Sequence, residues 1–191
     1  MPKVFAGNYA DIFDIKGKKA VVVGGAGGFG KEIAKAFAQR GVDVLISSRR
    51  EDALKAACED IKAGAAAGVK VTYFAGDAGD EETVKKMVEY TVSPEGLGGV
   101  DILVNSQGYN KKMWSWEIDT KVWNGMLNTN ITSLMFTCKY FGNWMKEHNT
   151  EDGVVADPST FEAGKATPCA GYGKIINIGS FHCQVTMNGV P

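Results

Sequence analysis

The sequence alternates short, β-branched apolar runs with amphipathic segments, and this alternation constrains its fold more than any other feature. The apolar runs, which have the length and composition of buried strands, occupy residues 18–25, 42–48, 69–76, 100–106 and 173–180. Apolar residues at helical spacing occupy 30–41, 51–68, 80–90 and 119–148. Strands that alternate with helices form a parallel sheet with helices on both faces. The 191 residues therefore predict a single α/β domain with a doubly wound parallel sheet.

A glycine-rich turn, GGAGGFG, joins the first predicted strand to the first predicted helix. Glycine at these places permits a tight turn, a close approach of the backbone to a pyrophosphate and close packing of the helix on the sheet. The start of the helix offers free N–H groups and the positive end of its dipole to phosphate. A tight turn alone would use the same residue type, but its place between strand and helix favours a Rossmann-like dinucleotide site. The predicted binding residues of this turn are Gly24, Gly28, Phe29 and Gly30.

The spacing Gly-x-x-x-Gly-x-Gly resembles the cofactor signature of the short-chain dehydrogenase/reductase family, and later stretches agree with it. Asp77, followed by Ala78, ends the third strand, where the family uses an aspartate on the adenine. NSQG, from Asn105 to Gly108, stands in place of the family's Asn-Asn-Ala-Gly. The similarity runs from about Phe13 to the end of the chain. We therefore expect Asp77, Ala78, Asn105 and Gly108 to contact the cofactor.

The same resemblance implies catalytic positions. Asn130, in the long helical pattern, matches the family's catalytic asparagine, which holds a water in a proton relay. Ser180, in INIGS, matches the serine that hydrogen-bonds the substrate oxygen. Two departures concern the contacts around the nicotinamide ribose. Val23 replaces a usual threonine, and Ser106-Gln107 replaces Asn-Ala.

The end of the second strand, SSRRE, indicates which nicotinamide cofactor is preferred. Enzymes of this fold that use NAD place an acid about 20 residues past the glycines, on the ribose 2′-hydroxyl. Ser48, Arg49 and Arg50 occupy this tip instead, and two of the chain's three arginines are among them. A guanidinium fork suits a 2′-phosphate, so we expect NADP(H), with NAD the less favoured alternative. The competing interpretation is structural: Ser48 with Glu51 forms a capping box, and the arginines are a solvated first turn.

The family's general acid is a tyrosine with a lysine four residues later, which lowers the tyrosine pKa from its ordinary value near 10. None of the six tyrosines in this sequence has a lysine at that spacing. Family spacing would put the tyrosine just beyond Pro191. We therefore expect a chain that stops after the fifth strand, supplies the cofactor-binding part of the enzyme and is inactive alone.

Composition limits the classes of partner. The net charge is −1 and 23% of the residues are charged, which gives no electrostatic argument for nucleic acid or a membrane surface. No basic-then-apolar leader and no apolar run of membrane-spanning length is present, so we expect a cytoplasmic protein. The four cysteines are far apart without a Cys-x-x-Cys pair, so neither a metal site nor a disulfide framework is expected.

Together these features predict an NADP(H)-dependent oxidoreductase that interconverts an alcohol and a ketone. The segments IFDIKGKKAVVVGGAGGFG and SSRRE most resemble family members that act on sugar acids and sugar alcohols. The alternative is a catalytically silent dinucleotide-binding sensor or assembly subunit. We expect a homodimer or homotetramer, and an inserted loop at 149–172.

Overall fold

Five parallel strands form the sheet of the computed structural model, which describes residues 14–149 and 173–180. The strands are β1 (Lys19–Val23), β2 (Asp43–Ser48), β3 (Val71–Ala75), β4 (Ile102–Asn105) and β5 (Lys174–Asn177). Their order is β3-β2-β1-β4-β5, and each neighbouring pair is parallel. The chain builds outward from β1 to β3 and then crosses back to β4. The predicted doubly wound sheet is therefore confirmed, with its switch point between β1 and β4.

Helices cover both faces of this sheet. They are α1 (Gly28–Gln39), α2 (Glu51–Ala63), α3 (Glu81–Val92), α4 (Thr120–Leu127) and α5 (Ser133–His148). One face packs on α1 and α2, and β1 contributes Ala20 and Val22 to it. The other packs on α3 and α5, and β1 contributes Val21 and Val23 to it. Successive residues of one strand thus belong to two cores, as expected for a sheet that is covered on both sides.

The long helical pattern at 119–148 is almost continuous in the structure. A π-helical turn, Asn128–Thr132, joins α4 to α5, and the flanking Leu127 and Ser133 keep right-handed helical dihedrals. Phe141 of α5 is fully buried. The predicted helix at 51–68 ends earlier, at Ala63 with Gly64 as its C-cap, because glycine is a poor helix former.

An ion-pair cluster on the surface fastens α3 to α5. The Glu81 carboxylate accepts hydrogen bonds from the Tyr140 hydroxyl and from Lys139 Nζ, the latter at 3.0 Å. These two hydrogen bonds, with Tyr140 the larger cause, hold the pKa of Glu81 below its ordinary value of 4.5. A carboxyl whose pKa is depressed by folding stabilises the protein above its unfolded pKa, and loses that contribution as the pH falls.

We therefore expect Glu81→Gln to lower the free energy of unfolding at neutral pH and to lose this effect in acid. The difference between the two proteins should be full above the carboxyl's ordinary pKa of 4.5 and shrink as the pH drops below it. Urea denaturation at a series of pH values measures it. Glu82→Gln is the control, since Glu82 pairs with Lys85 of the same helix. A difference that does not vary with pH would contradict the assignment.

Other expectations fall partly outside the described residues. The inserted loop expected at 149–172 lies there, apart from Asn149, whose side chain donates to the Val100 carbonyl at 2.7 Å. Among the helices of the described residues, none is long and apolar enough to cross a membrane.

Candidate cofactor cleft

A cleft of about 250 Å³ opens at the carboxyl ends of the strands, beside the switch point between β1 and β4. Open α/β sheets bind ligands at this place. Its lining consists of Val23, Gly24, Gly27, Ser48, Arg49, Gly76, Asp77, Ala78, Ser106, Gln107, Gly108, Thr129 and Ser133. Six of the sequence-predicted site residues are thus brought together: Gly24, Ser48, Arg49, Asp77, Ala78 and Gly108.

Two glycines of the first turn are required by the fold itself. Gly24 has a φ of +81°, and a Cβ on it would lie 2.6 Å from the Gln107 backbone nitrogen. A Cβ on Gly30 would overlap the carbonyl oxygen of Gly24 and lie 3.0 Å from its carbonyl carbon. The turn therefore brings β1, the loop after β4 and α1 into direct backbone contact.

The next part of the turn faces open space. A Cβ on Gly27 or Gly28 would meet no atom within 4 Å, and Gly28 has a φ of +52°. No side chain caps the start of α1, so its first amide groups remain free to bind an anion. The Phe29 ring is 79% exposed. Gly28, Phe29 and Gly30 lie at this helix start rather than in the cleft lining.

The end of β2 presents Ser48 and Arg49 to the cleft. The Ser48 Oγ is buried without a hydrogen-bond partner among the described residues. The N-cap of α2 is Arg50, and no side chain caps that helix. The alternative of a Ser48–Glu51 capping box is therefore wrong, because the helix begins at Glu51, two residues too late for Ser48 to cap it. Arg50 itself is not in the cleft lining.

The end of β3 is shaped by two aspartates. Asp77 Oδ1 accepts a hydrogen bond from the Gly79 N–H at 2.9 Å, which keeps this loop turned beside the cleft. Asp80 caps α3 by accepting from the Thr83 N–H at 2.7 Å. Hydrogen bonds from Thr83 lower the pKa of Asp80. Ala78, which lies between Asp77 and Asp80 in the sequence, is buried.

Asn105 lies beneath the cleft rather than in its lining. Its side chain is 1% exposed, donates to Asn177 Oδ1 at 2.9 Å and accepts from the Thr137 hydroxyl at 2.8 Å. It thereby ties β4 to β5 and α5. The Cys138 thiol is 3.4 Å from Asn105 Nδ2, and burial raises its pKa, which disfavours a reactive thiolate. The described hydrogen bonds of Asn105 are all to other residues of the chain, and its contact with the cofactor stays a prediction.

The two expected catalytic positions are not in the described cleft lining either. Asn130 sits in the π-helical turn. Its Oδ1 accepts from the Tyr109 N–H at 2.9 Å and its Nδ2 donates to the Tyr109 carbonyl at 2.8 Å, so it fixes the loop after β4. Ser180 follows β5 and is exposed. Their roles also stay predictions.

Seven lining residues were not among the predicted site residues: Ser106, Gln107, Thr129, Ser133, Val23, Gly27 and Gly76. Ser106 and Gln107 stand where NSQG departs from the family's motif, and this departure could have indicated them as site residues. Thr129 and Ser133 have no such signal, because only the π-helical turn brings them to the cleft. Within 14–149 and 173–180, no group of three His, Cys, Asp or Glu side chains is placed to hold a metal ion.

Comparison with known protein families identifies the family of this chain. The family described as short chain dehydrogenase matches residues 18–168, which is more than half of the chain. The protein belongs to the short chain dehydrogenase family. The matched residues of this dehydrogenase include every cleft residue and Asn130, and end before Ser180.

Relatives of this short chain dehydrogenase agree. Glucose 1-dehydrogenase of Gluconobacter oxydans (strain 621H) is 29% identical over 154 residues, covering 81% of this chain and 56% of the relative. Gluconate 5-dehydrogenase of the same strain is 25% identical over 183 residues, covering 96% of this chain and 61% of the relative. The chain therefore spans somewhat more than half the length of these relatives.

A solved structure supports the fold of this short chain dehydrogenase. A short-chain type dehydrogenase/reductase from Mycobacterium marinum superposes with a TM-score of 0.78 at 22% identity, covering 96% of this chain and 64% of the other. At that identity the likeness concerns the fold.

Proposed function

We propose that the protein is an NADP(H)-dependent oxidoreductase that interconverts an alcohol and a ketone. The observation that carries the NADP preference is the tip of β2. Ser48 and Arg49 line the cleft there, and no ion pair engages Arg49 among the described residues. A hydroxyl and a guanidinium together suit a phosphate on the ribose 2′-oxygen.

The cleft residues fit a dinucleotide on three observations. The uncapped start of α1 and the open space at Gly28 suit a diphosphate. The buried Oγ of Ser48 has no partner among the described residues, as expected of a group that is reserved for a ligand. Asp77 and Ala78 would face the adenine. When bound, the cofactor supplies the hydride that is exchanged with the carbonyl carbon.

The chain's own residues would position the substrate and the proton path. We assign to Ser180 the hydrogen bond to the substrate oxygen, and to Asn130 the water of the proton relay. Asn130 retains hydrogen-bonding capacity beside its two bonds to Tyr109, because an amide offers two donors and two acceptor sites. No tyrosine of the 191 residues has a lysine four positions later, so we expect these residues alone to bind nucleotide without turnover.

A sugar acid or a sugar alcohol is the proposed substrate class. It is supported by the names of two relatives, a glucose 1-dehydrogenase and a gluconate 5-dehydrogenase. Cytoplasmic location and assembly into a homodimer or homotetramer belong to the same proposal. Exposed apolar side chains on α4, the π-helical turn and α5, among them Trp123 and Ile131, support assembly.

The second candidate is a dinucleotide-binding sensor or assembly subunit. It would be favoured if the polypeptide that the gene encodes has no Tyr-x-x-x-Lys motif. Turnover of NADP with sugar acids, measured on the polypeptide that the gene encodes, separates the two candidates.

The cofactor preference is tested at Arg49. We expect Arg49→Ala to weaken NADPH binding about 10- to 100-fold, the worth of a charge-assisted hydrogen bond to phosphate, and to leave NADH binding unchanged. Isothermal titration calorimetry measures both. Arg50→Ala is the matched control, because Arg50 lies outside the cleft lining, and it should bind both nucleotides normally. Tighter binding of NADH than NADPH by the unmodified protein would overturn the preference.

A further inference from the structure

Gln107 places a side-chain acceptor in the cleft at a position where the family's motif has alanine. Its backbone nitrogen lies against Gly24, since a Cβ on that glycine would be 2.6 Å away. Its Oε1 is buried and has no hydrogen-bond partner among the described residues. Buried polar atoms are nearly always paired in native proteins, and the described residues supply no donor to this oxygen, so we assign its donor to the ligand of the cleft.

The hydrogen bonds around Gln107 fix which way its amide faces. The Ser133 hydroxyl lies 2.6 Å from the Thr129 carbonyl oxygen. A carbonyl oxygen can only accept a hydrogen bond, so the Ser133 hydroxyl donates its single proton to the Thr129 carbonyl. Ser133 can then only accept from Gln107, whose Nε2 lies 2.9 Å away. The amide group is therefore held with its nitrogen toward α5 and its oxygen away from Ser133.

The nature of the missing donor follows from the neighbours of Gln107. A phosphate has no proton to donate at neutral pH, so the diphosphate and a 2′-phosphate are excluded. The described lining includes Ser48, Arg49, Asp77 and Ala78, but neither Asn130 nor Ser180. Ser48, Arg49, Asp77 and Ala78 are the residues that the proposed function assigns to the adenosine half of NADP. The adenosine half of NADP offers two donors, the adenine amino group and the 3′-hydroxyl of the ribose. Since the proposed function places the adenine at Asp77 and Ala78, the 3′-hydroxyl is the donor left for Gln107, rather than a group of the nicotinamide ribose that its motif position suggested.

We propose that Gln107 is a cofactor-binding residue whose Oε1 accepts a hydrogen bond from the 3′-hydroxyl of the adenosine ribose, with Ser133 as the residue that positions it. This inference rests on the proposed function, because it deepens the account of the same cleft. It adds to the 2′-phosphate contact a second point of recognition on one ribose ring.

A cycle of protein and ligand variants tests the contact. The unmodified protein and Gln107→Met, which keeps the side-chain length without the amide, are titrated with adenosine 2′,5′-bisphosphate and with its 3′-deoxy analogue. We expect Gln107→Met to weaken binding of the bisphosphate about three- to tenfold, the usual worth of one neutral hydrogen bond. The two proteins should bind the 3′-deoxy analogue equally. Equal weakening for both ligands, or weakening for neither, would overturn the proposal.

Ser133→Ala provides the second variant. Alanine is the better helix former, so α5 is retained while the amide of Gln107 loses its anchor. We expect a smaller loss of affinity that is again confined to the ligand with the 3′-hydroxyl, and no further loss in the double variant. A loss of melting temperature without that ligand dependence would show a merely structural role. If the unmodified protein fails to bind the bisphosphate at all, the proposed function falls; if it binds and Gln107→Met binds both ligands as tightly as the unmodified protein does, only this inference falls.

Discussion

Replacing Gly24 with alanine is expected to lower the free energy of unfolding by about 3–5 kcal/mol, through a disfavoured backbone and a steric clash together. The φ of +81° costs an alanine conformational energy, and its Cβ would lie 2.6 Å from the Gln107 nitrogen and 2.7 Å from the Ser106 carbonyl carbon. Neither atom can move away cheaply, because both belong to the backbone of the loop after β4. Chemical denaturation measures the loss.

Gly27→Ala is the matched control for that change. Gly27 has an extended backbone with a φ of −174°, and an added Cβ would meet nothing within 4 Å. Its free energy of unfolding should therefore be unchanged, while the methyl group intrudes on the cleft and weakens nucleotide binding. If Gly24→Ala and Gly27→Ala were equally stable, the separation of fold-bearing from ligand-facing glycines would be wrong.

Asn105→Ala should cost about 2–3 kcal/mol in the free energy of unfolding, because it removes a buried amide that serves two partners. Its loss leaves Asn177 and Thr137 without the group that links them. The effect should concentrate at β5, whose end is held by the Ile178 N–H donating to the Asn105 carbonyl at 2.9 Å. Hydrogen exchange of the β5 amides is therefore expected to quicken more than that of β1 or β2.

Thr137→Val is the isosteric control for the hydrogen bonds that the Asn105 amide makes to Asn177 and Thr137. It keeps Asn105 and removes the hydroxyl that donates to Asn105 Oδ1 and to a carbonyl within α5, so we expect a loss of about 1 kcal/mol. Unchanged exchange at β5 in Asn105→Ala would contradict this role of Asn105.

The sequence predicted the sheet well because its signals are local and strong. Runs such as AVVV and VLIS can be buried on both sides only in a sheet that helices cover on both faces. Element ends were less predictable. The helix expected to reach residue 68 stops at Ala63, and Ser48, which the competing interpretation made the cap of α2, lies in the cleft.

The candidate site was predictable where backbone geometry dictates the residue type. Gly24 and Gly30 meet neighbouring backbone atoms, so glycine there is informative on its own. Asn105 and Asn130 were placed by motif alone, and the motif does not tell where an amide side chain spends its hydrogen bonds. Gln107 and Ser133 are 26 residues apart, and their pairing depends on a tertiary contact that no local pattern encodes.

The π-helical turn between α4 and α5 determines which side of α5 faces the sheet. Each residue of a helix turns the chain by about 100°, so the residue count of Asn128–Thr132 decides whether Phe141 and Met145 face the sheet or the water. Deletion of one residue from this turn would rotate α5 by about 100° and would turn Phe141 and Met145 away from the sheet. The length of this turn is therefore constrained independently of the residues that it presents to the cleft.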